Sequence, residues 1–225
     1  MNSRTRRTTP AARIRPRISQ RRPEKRTLLV VCEGRETERN YLDGLRRDDA
    51  VSRRFAVKVL PGKGGSRQQI IQRAVDRKNN SKSEFDEVWC VMDVERLAHP
   101  DARTDLDLAV QLARVNQIQL CLSNPAFEIW ALAHFVRTSR MFNDCDAVIV
   151  ELNKYWRAEF QIDYDKTDQR IYSRLAQRMR PAIENAKAVR EVDHRDKADL
   201  KDCNSATELY KLVSYLLGES PNAID

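Results

Sequence analysis

The chain reads as an α/β protein, a parallel, doubly wound sheet followed by an all-helical C-terminal part. Three observations predict this. Leu28–Cys32 and Asp86–Met92 are apolar runs without polar alternation, as expected of strands buried on both faces. Each run stops at an acid, Glu33 or Asp93. Strand and helix patterns then alternate with short links as far as Phe135, and from Asp144 onward the strand signals cease.

In chain order, Thr27–Glu38 reads TLLVVCEGRETE, and Gly34 permits a tight turn into the first helix, Glu36–Arg47, with Tyr41, Leu42 and Leu45 inward. Phe55–Leu60 is a short alternating strand. The loop Gly62-Lys63-Gly64-Gly65-Ser66 follows, then the amphipathic helix Gln68–Lys78 with Ile70, Ile71, Ala74 and Val75 inward. After the polar stretch Asn79–Glu84 and the second buried strand, Thr104 is placed to cap the helix Asp105–Val115, with Leu106, Ala109, Val110 and Ala113 inward. Gln117–Leu122 is the fourth strand. Asn124-Pro125 suits an N-cap and first helical position, opening the apolar helix Ala126–Phe135. Val148–Trp156, Gln169–Lys187 and Thr207–Leu217 read as helices.

Composition narrows the function classes. Apolar residues make up 41% of the 225 residues, enough for a core. The net charge of +8 is unevenly placed. Residues 1–26 carry 10 of the 41 Lys and Arg and one acid, Glu24, a local charge of +9. The other 31 basic and 32 acidic residues leave the body at −1. The tail, with Pro10, Pro16 and Pro23, is expected to be disordered, either as a tether for phosphate backbones or as a solubilising extension. Its prolines argue against an amphipathic transit peptide. The chain has no signal-peptide core and no apolar run of bilayer length, so a cytoplasmic location is expected. Cys32, Cys90, Cys121, Cys145 and Cys203 lack CxxC spacing, so neither disulfides nor a zinc knuckle are expected.

The chemistry is expected at the carboxyl ends of the parallel strands. Glu33 closes the first, and Asp93-Val94-Glu95 closes a later one; residues two apart in extended chain point the same way, so Asp93 and Glu95 can share a ligand. Carboxylates converging without histidine or thiol form a hard oxygen site, suited to Mg²⁺ or Mn²⁺. Singly, each acid also fits a solvated loop mouth. Glu128 is the one charge between Asn124 and Phe135 and requires a metal, an arginine or a proton if buried. His134 lies six positions on, roughly 240° around at about 100° per residue, so the two do not pair on one face. Lys63 and Arg67 are candidates for contacting a substrate phosphate from the glycine-rich loop, which lacks P-loop spacing and equally suits a linker.

In order, VVCEGRETERNYL, VWCVMDVE and SNPAFEIWALAHF resemble the RloB-like family, whose core is similar to the Toprim domain. Asn204-Ser205-Ala206-Thr207, Tyr164-Asp165-Lys166 and Ala182–Lys187 extend the likeness, which covers about Thr27 to Leu217. The resemblance implies a Toprim-like parallel sheet flanked by helices over 27–136, a helical region over 137–225, and the basic tail over 1–26. It matches Glu33 to the Toprim glutamate, and Asp93 and Glu95 to its DxD pair, with glutamate in place of the second aspartate. It implies a Mg²⁺-dependent nuclease in bacterial antiphage defence by abortive infection. Glu33, Asp93, Glu95 and Glu128 would be catalytic, and Lys63, Arg67, Lys166 and His134 would bind substrate. RNA, tRNA included, is expected ahead of DNA. An ABC/SMC-type ATPase is a candidate partner beside nucleic acid, and a homo-oligomer is a further candidate. The alternative is a non-catalytic nucleic-acid- or ATPase-binding adaptor with a degenerate core.

Overall fold

A computed structural model describes residues 24–80, 84–94, 100–195 and 200–218. The elements run β1 (Arg26–Cys32), α1 (Thr37–Leu45), α2 (Asp49–Ser52), β2 (Phe55–Leu60), α3 (Arg67–Asn80), β3 (Glu87–Asp93), α4 (Pro100–Val115) and β4 (Gln119–Asn124). Then come α5 (Glu128–Ala133), α6 (Cys145–Phe160), α7 (Ile171–Leu175), α8 (Met179–Arg195), β5 (Ala206–Thr207) and α9 (Leu209–Leu217). The sheet order is β2-β1-β3-β4-β5; the first four strands are parallel and β5 is antiparallel to β4. This is the α/β architecture with a helical C-terminal part that the patterning predicts.

Alternate residues of the central strands enter two cores, as the period of two demands. Leu28, Val30 and Cys32 of β1 join Trp89 and Val91 of β3 in one core, with Tyr41, Leu42 and Leu45 of α1. Leu29 and Val31 join Cys90 and Met92 in the other, beneath Ile70, Ile71 and Ala74 of α3 and Leu106 and Ala109 of α4. The first core also takes Trp130 of α5, Val148, Leu152 and Trp156 of α6, and Leu209, Leu212 and Leu216 of α9. Residues on both sides of 136 therefore share one apolar interior.

Several local expectations give way to tertiary contacts. Thr104 lies inside α4, because the helix starts earlier, with Pro100 where a proline's missing N–H is harmless. Val110 is 38% exposed, off the inward face. Asn124 caps no helix: it ends β4, its peptide to Pro125 is cis, and its Nδ2 donates to the Leu200 carbonyl at 3.1 Å. Helix α5 starts only at Glu128. The helix expected over Gln169–Lys187 divides into α7, a 3₁₀ turn at Ala176–Arg178, and α8. Arg26, assigned to the tail, opens β1 instead.

Strand β5 has no counterpart among the strands the sequence predicts. It is held by the hydroxyls of Ser123 and Thr207, 2.8 Å apart, and by the N–H of Ser205 donating to the Asn124 carbonyl at 2.8 Å. Next to it, Asn204 clasps the Phe142 backbone from both sides: Oδ1 accepts its N–H at 2.8 Å and Nδ2 donates to its carbonyl at 2.6 Å. The Asn204–Thr207 element thereby docks the C-terminal part onto the sheet.

Candidate active site

Strands β1 and β3 pair with Cys32 opposite Val91, so β3 runs two residues past the end of β1 and Glu33 comes within one position of Asp93. The N–H of Glu33 continues the ladder to the Val91 carbonyl at 3.0 Å. The Glu33 carboxylate then turns across, and its Oε2 accepts the N–H of Asp93 at 3.0 Å. Two acids from neighbouring strand ends are thus linked by this hydrogen bond.

Gly34 matters here for a different reason from the turn the sequence suggests. Its φ is not positive; instead, a Cβ at that position would stand 1.5 Å from Glu38 Oε2. With no side chain in the way, Glu38 folds back and its Oε1 accepts the Gly34 N–H at 3.0 Å. Glu38 is 5% exposed. Burial first, and then the charges of Glu128 and Glu33, push its carboxyl up to about 7.

Glu128 stands at the start of α5 and is 3% exposed. Its Oε2 accepts from Cys145 Sγ at 3.1 Å and its Oε1 from the Tyr164 hydroxyl at 3.3 Å. Lys166 Nζ lies 3.8 Å from Glu128 Oε1 and donates to Cys145 Sγ at 3.0 Å. Burial and the Glu128 charge hold the Cys145 thiol well above its usual range, so it remains a neutral donor. The Lys166 segment is tied down by Thr37, whose hydroxyl donates to the Lys166 carbonyl at 3.0 Å.

On the opposite side, Arg67 Nε donates to the Asp93 carbonyl at 3.0 Å. Its backbone N–H donates to Asp105 Oδ2 at 2.9 Å, and the same oxygen lies 3.8 Å from its Nη1. Asp105 thus sets the position of Arg67. The cavity here is about 650 Å³, and among the described residues five acids (Glu33, Glu36, Glu38, Asp93 and Glu128) and three bases (Arg35, Arg67 and Lys166) line it. Among the described residues the acids outnumber the bases, a balance that favours a cation over an anion.

The donor set facing this cavity is carboxylate oxygen, the chemistry that Mg²⁺ and Mn²⁺ select. Among the described residues no group of three His, Cys, Asp or Glu is arranged to hold an ion. Glu33 and Asp93 are the pair placed to begin such a site; Glu95, expected beside them, lies outside the described residues, as does the tail over 1–23.

Of the residues singled out from sequence, Glu33, Asp93, Glu128, Arg67 and Lys166 meet at this cavity. Lys63 lines a neighbouring one. His134 is 1% exposed within the core, its Nδ1 2.8 Å from the Trp130 carbonyl and its ring against Trp130 and Tyr41, away from the acids. Burial drives its pKa down to about 4. Glu38 is not among the residues the sequence singles out. The signal was present: Glu38, Tyr41, Leu42 and Leu45 share the spacing of one buried stripe, so an acid stood where an apolar residue belongs.

The model of the RloB-like protein family matches residues 28–216. The chain belongs to the RloB-like family. No curated protein and no solved structure matches it. The RloB-like match takes in the whole acidic cavity, from Glu33 to Lys166, together with β5 and most of α9. Among the described residues of this RloB-like protein, no helix is long and apolar enough to cross a membrane.

Proposed function

We propose that this RloB-like protein is a Mg²⁺- or Mn²⁺-dependent phosphodiesterase that cuts nucleic acid, acting in the cytoplasm in antiphage defence by abortive infection. One observation carries the reading: Glu33 and Asp93, at the ends of adjacent parallel strands, open together onto an acid-rich cavity flanked by Arg67 and Lys166. A divalent ion bound there supplies Lewis acidity to the scissile phosphate and lowers the pKa of an attacking water. Glu33 and Asp93 would hold that ion, with Glu95 as a third ligand. Arg67, set by Asp105, and Lys166, set by Glu128 and Cys145, would offset charge on the phosphate from two sides. Glu38, with a carboxyl that titrates near neutrality, would hold or release a proton at its Oε atoms beside the ion. RNA, tRNA included, is favoured over DNA on the family likeness, and an ABC/SMC-type ATPase is the partner that likeness suggests.

A second reading has its own observation. The Glu33 carboxylate is engaged by the Asp93 amide, which fits a structural lock between strands in a non-catalytic, nucleic-acid- or ATPase-binding adaptor. Incubating the purified protein with labelled total tRNA and with plasmid DNA, each with and without Mn²⁺, separates the two. Mn²⁺-dependent cleavage that disappears in Asp93→Asn is expected of the enzyme, and equal activity in that variant overturns it.

A further inference from the structure

Beside the acidic cavity lies a second one of about 400 Å³, whose lining includes Leu60, Pro61, Lys63, Arg73, Asp76 and Arg77. Among the described residues its electrostatic balance is the reverse of its neighbour's: three cations and one acid line it. Asp76 is itself engaged, accepting from Gln72 Nε2 at 2.9 Å. Arg73 Nη2 donates to the Pro61 carbonyl at 3.1 Å, while its Nη1 is buried and has no hydrogen-bond partner among the described residues. The Pro61 bond fixes the guanidinium in the cavity wall, where its charge acts on any anion that enters. Lys63 and Arg77 are exposed at the cavity and add their charge to the same space.

The two cavities share a rigid wall. The Gly62 N–H donates to the Gly34 carbonyl at 3.2 Å, and a Cβ on Gly62 would stand 1.6 Å from the Glu33 carbonyl oxygen. Only glycine lets the loop press this closely on the end of β1. Arg35, which lines the acidic cavity, donates from Nη2 to the carbonyl of Lys63 at 2.9 Å. The basic cavity therefore keeps a fixed place relative to Glu33 and Asp93.

We propose that the Lys63–Arg73–Arg77 cavity is a phosphate subsite for a single-stranded polynucleotide, holding a backbone phosphate that flanks the one in the acidic cavity. The inference rests on the nuclease reading above and adds the path of the chain being cut: across the Gly62 wall, toward the edge strand β2. Such contacts position the substrate without reading its bases.

The test is fluorescence anisotropy with the full chain and a labelled 12-nucleotide single-stranded RNA, without divalent metal, from 50 to 300 mM salt. Arg73→Gln is compared with wild type. The exposed pair Lys63→Gln with Arg77→Gln is the second variant, in case loss of the Pro61 hydrogen bond unfolds the first, and thermal melts check both. Weaker binding in the variants, with the salt slope flatter by roughly 0.7 for each phosphate no longer neutralised, is the expected result. Wild-type affinity and slope in the folded variants overturn the subsite and leave the nuclease reading standing. A wild-type chain that binds no RNA overturns both. Inorganic phosphate supplies the remaining arm: if it raises the melting temperature of wild type but not of the variants, and does not displace the RNA, the cavity is a site for the free anion and the polynucleotide assignment fails.

Discussion

Glu33 Oε2 accepts the backbone N–H of Asp93 at 3.0 Å, so the first acid of the site is oriented by the main chain of the second. A glutamine retains a carbonyl oxygen for that amide, and Asp93→Asn leaves the amide untouched. Both variants should fold with stability within about 0.5 kcal/mol of wild type, or above it, since like charge is removed. Cleavage should fall by at least about 100-fold, because changes merely adjacent to a metal ligand already cost 10- to 100-fold in affinity. Thermal melts and Mn²⁺-dependent cleavage of the same preparations check this. A large loss of stability with unchanged Mn²⁺ binding would identify the pair as a structural lock.

Glu38 sets a pH dependence of definite sign. In the unfolded chain its carboxyl titrates near 4.5, and in the folded chain near 7. Between these values the unfolded state binds fewer protons, so this group's contribution to stability is full below about 4.5 and is lost as the pH rises through about 7. Glu38→Gln should therefore match wild type near pH 4 and exceed it at pH 8, by on the order of 2 kcal/mol. Denaturant melts at pH 4, 6 and 8 measure the difference, and one that does not vary with pH refutes the assignment.

His134 acts in the opposite direction over an overlapping window. Its folded value near 4 lies below the ordinary 6.5, so the stability it contributes is present above about 6.5 and is lost as the pH falls toward 4. Its ring resonances should show a neutral imidazole at pH 5.5, where an exposed histidine is mostly protonated. The pH profile of cleavage between 6 and 8 should not respond to it.

Glu128→Gln tests how the cation at the cavity wall is held. Cys145 and Tyr164 donate to different oxygens of Glu128, so only one of them keeps its acceptor in glutamine, while Lys166 loses the charge 3.8 Å away. Stability should drop by on the order of 1–3 kcal/mol, as for a perturbed buried hydrogen-bond group. The Glu38 carboxyl should titrate lower once that neighbouring charge is gone. A variant normal in both melting temperature and Glu38 titration removes Glu128 from the site.

Residues 1–23 carry eight arginines and no acid. Deleting them leaves β1, which begins at Arg26, complete. Nucleic-acid affinity should weaken and its salt slope flatten, with the melting temperature unchanged. An unchanged slope would reduce the segment to an aid to solubility.

What the sequence disclosed follows from how local each signal is. Strands buried on both faces read directly as apolar runs, and their terminal acids, Glu33 and Asp93, were legible with them. Thr104 and Asn124 misled because capping preferences are worth only about 1 kcal/mol and yield to tertiary context: α4 starts at Pro100, and Asn124 donates to the Leu200 carbonyl. Strand β5 is two residues long, too short for any periodicity, and it exists because Ser123 and Thr207 meet. Lys166 reaches the site from far along the chain, held by Thr37 and Cys145, and no local pattern announces such a meeting. Glu38 lay in plain view, on a stripe whose other members are apolar.

The interior shared between β1 and α9 bears on how the protein is made. Leu28 and Val30 are synthesised early, but Leu209, Leu212 and Leu216, which cover the same core, emerge some 180 residues later. Until they do, the sheet face behind Glu33 and Asp93 has no lid, and the clasp between Asn204 and Phe142 cannot close. Domains fold as units during translation. A nascent chain on the ribosome therefore carries its acids long before it has a finished cavity. For the nuclease proposed above, that order of assembly would withhold cleavage until translation of the domain is complete.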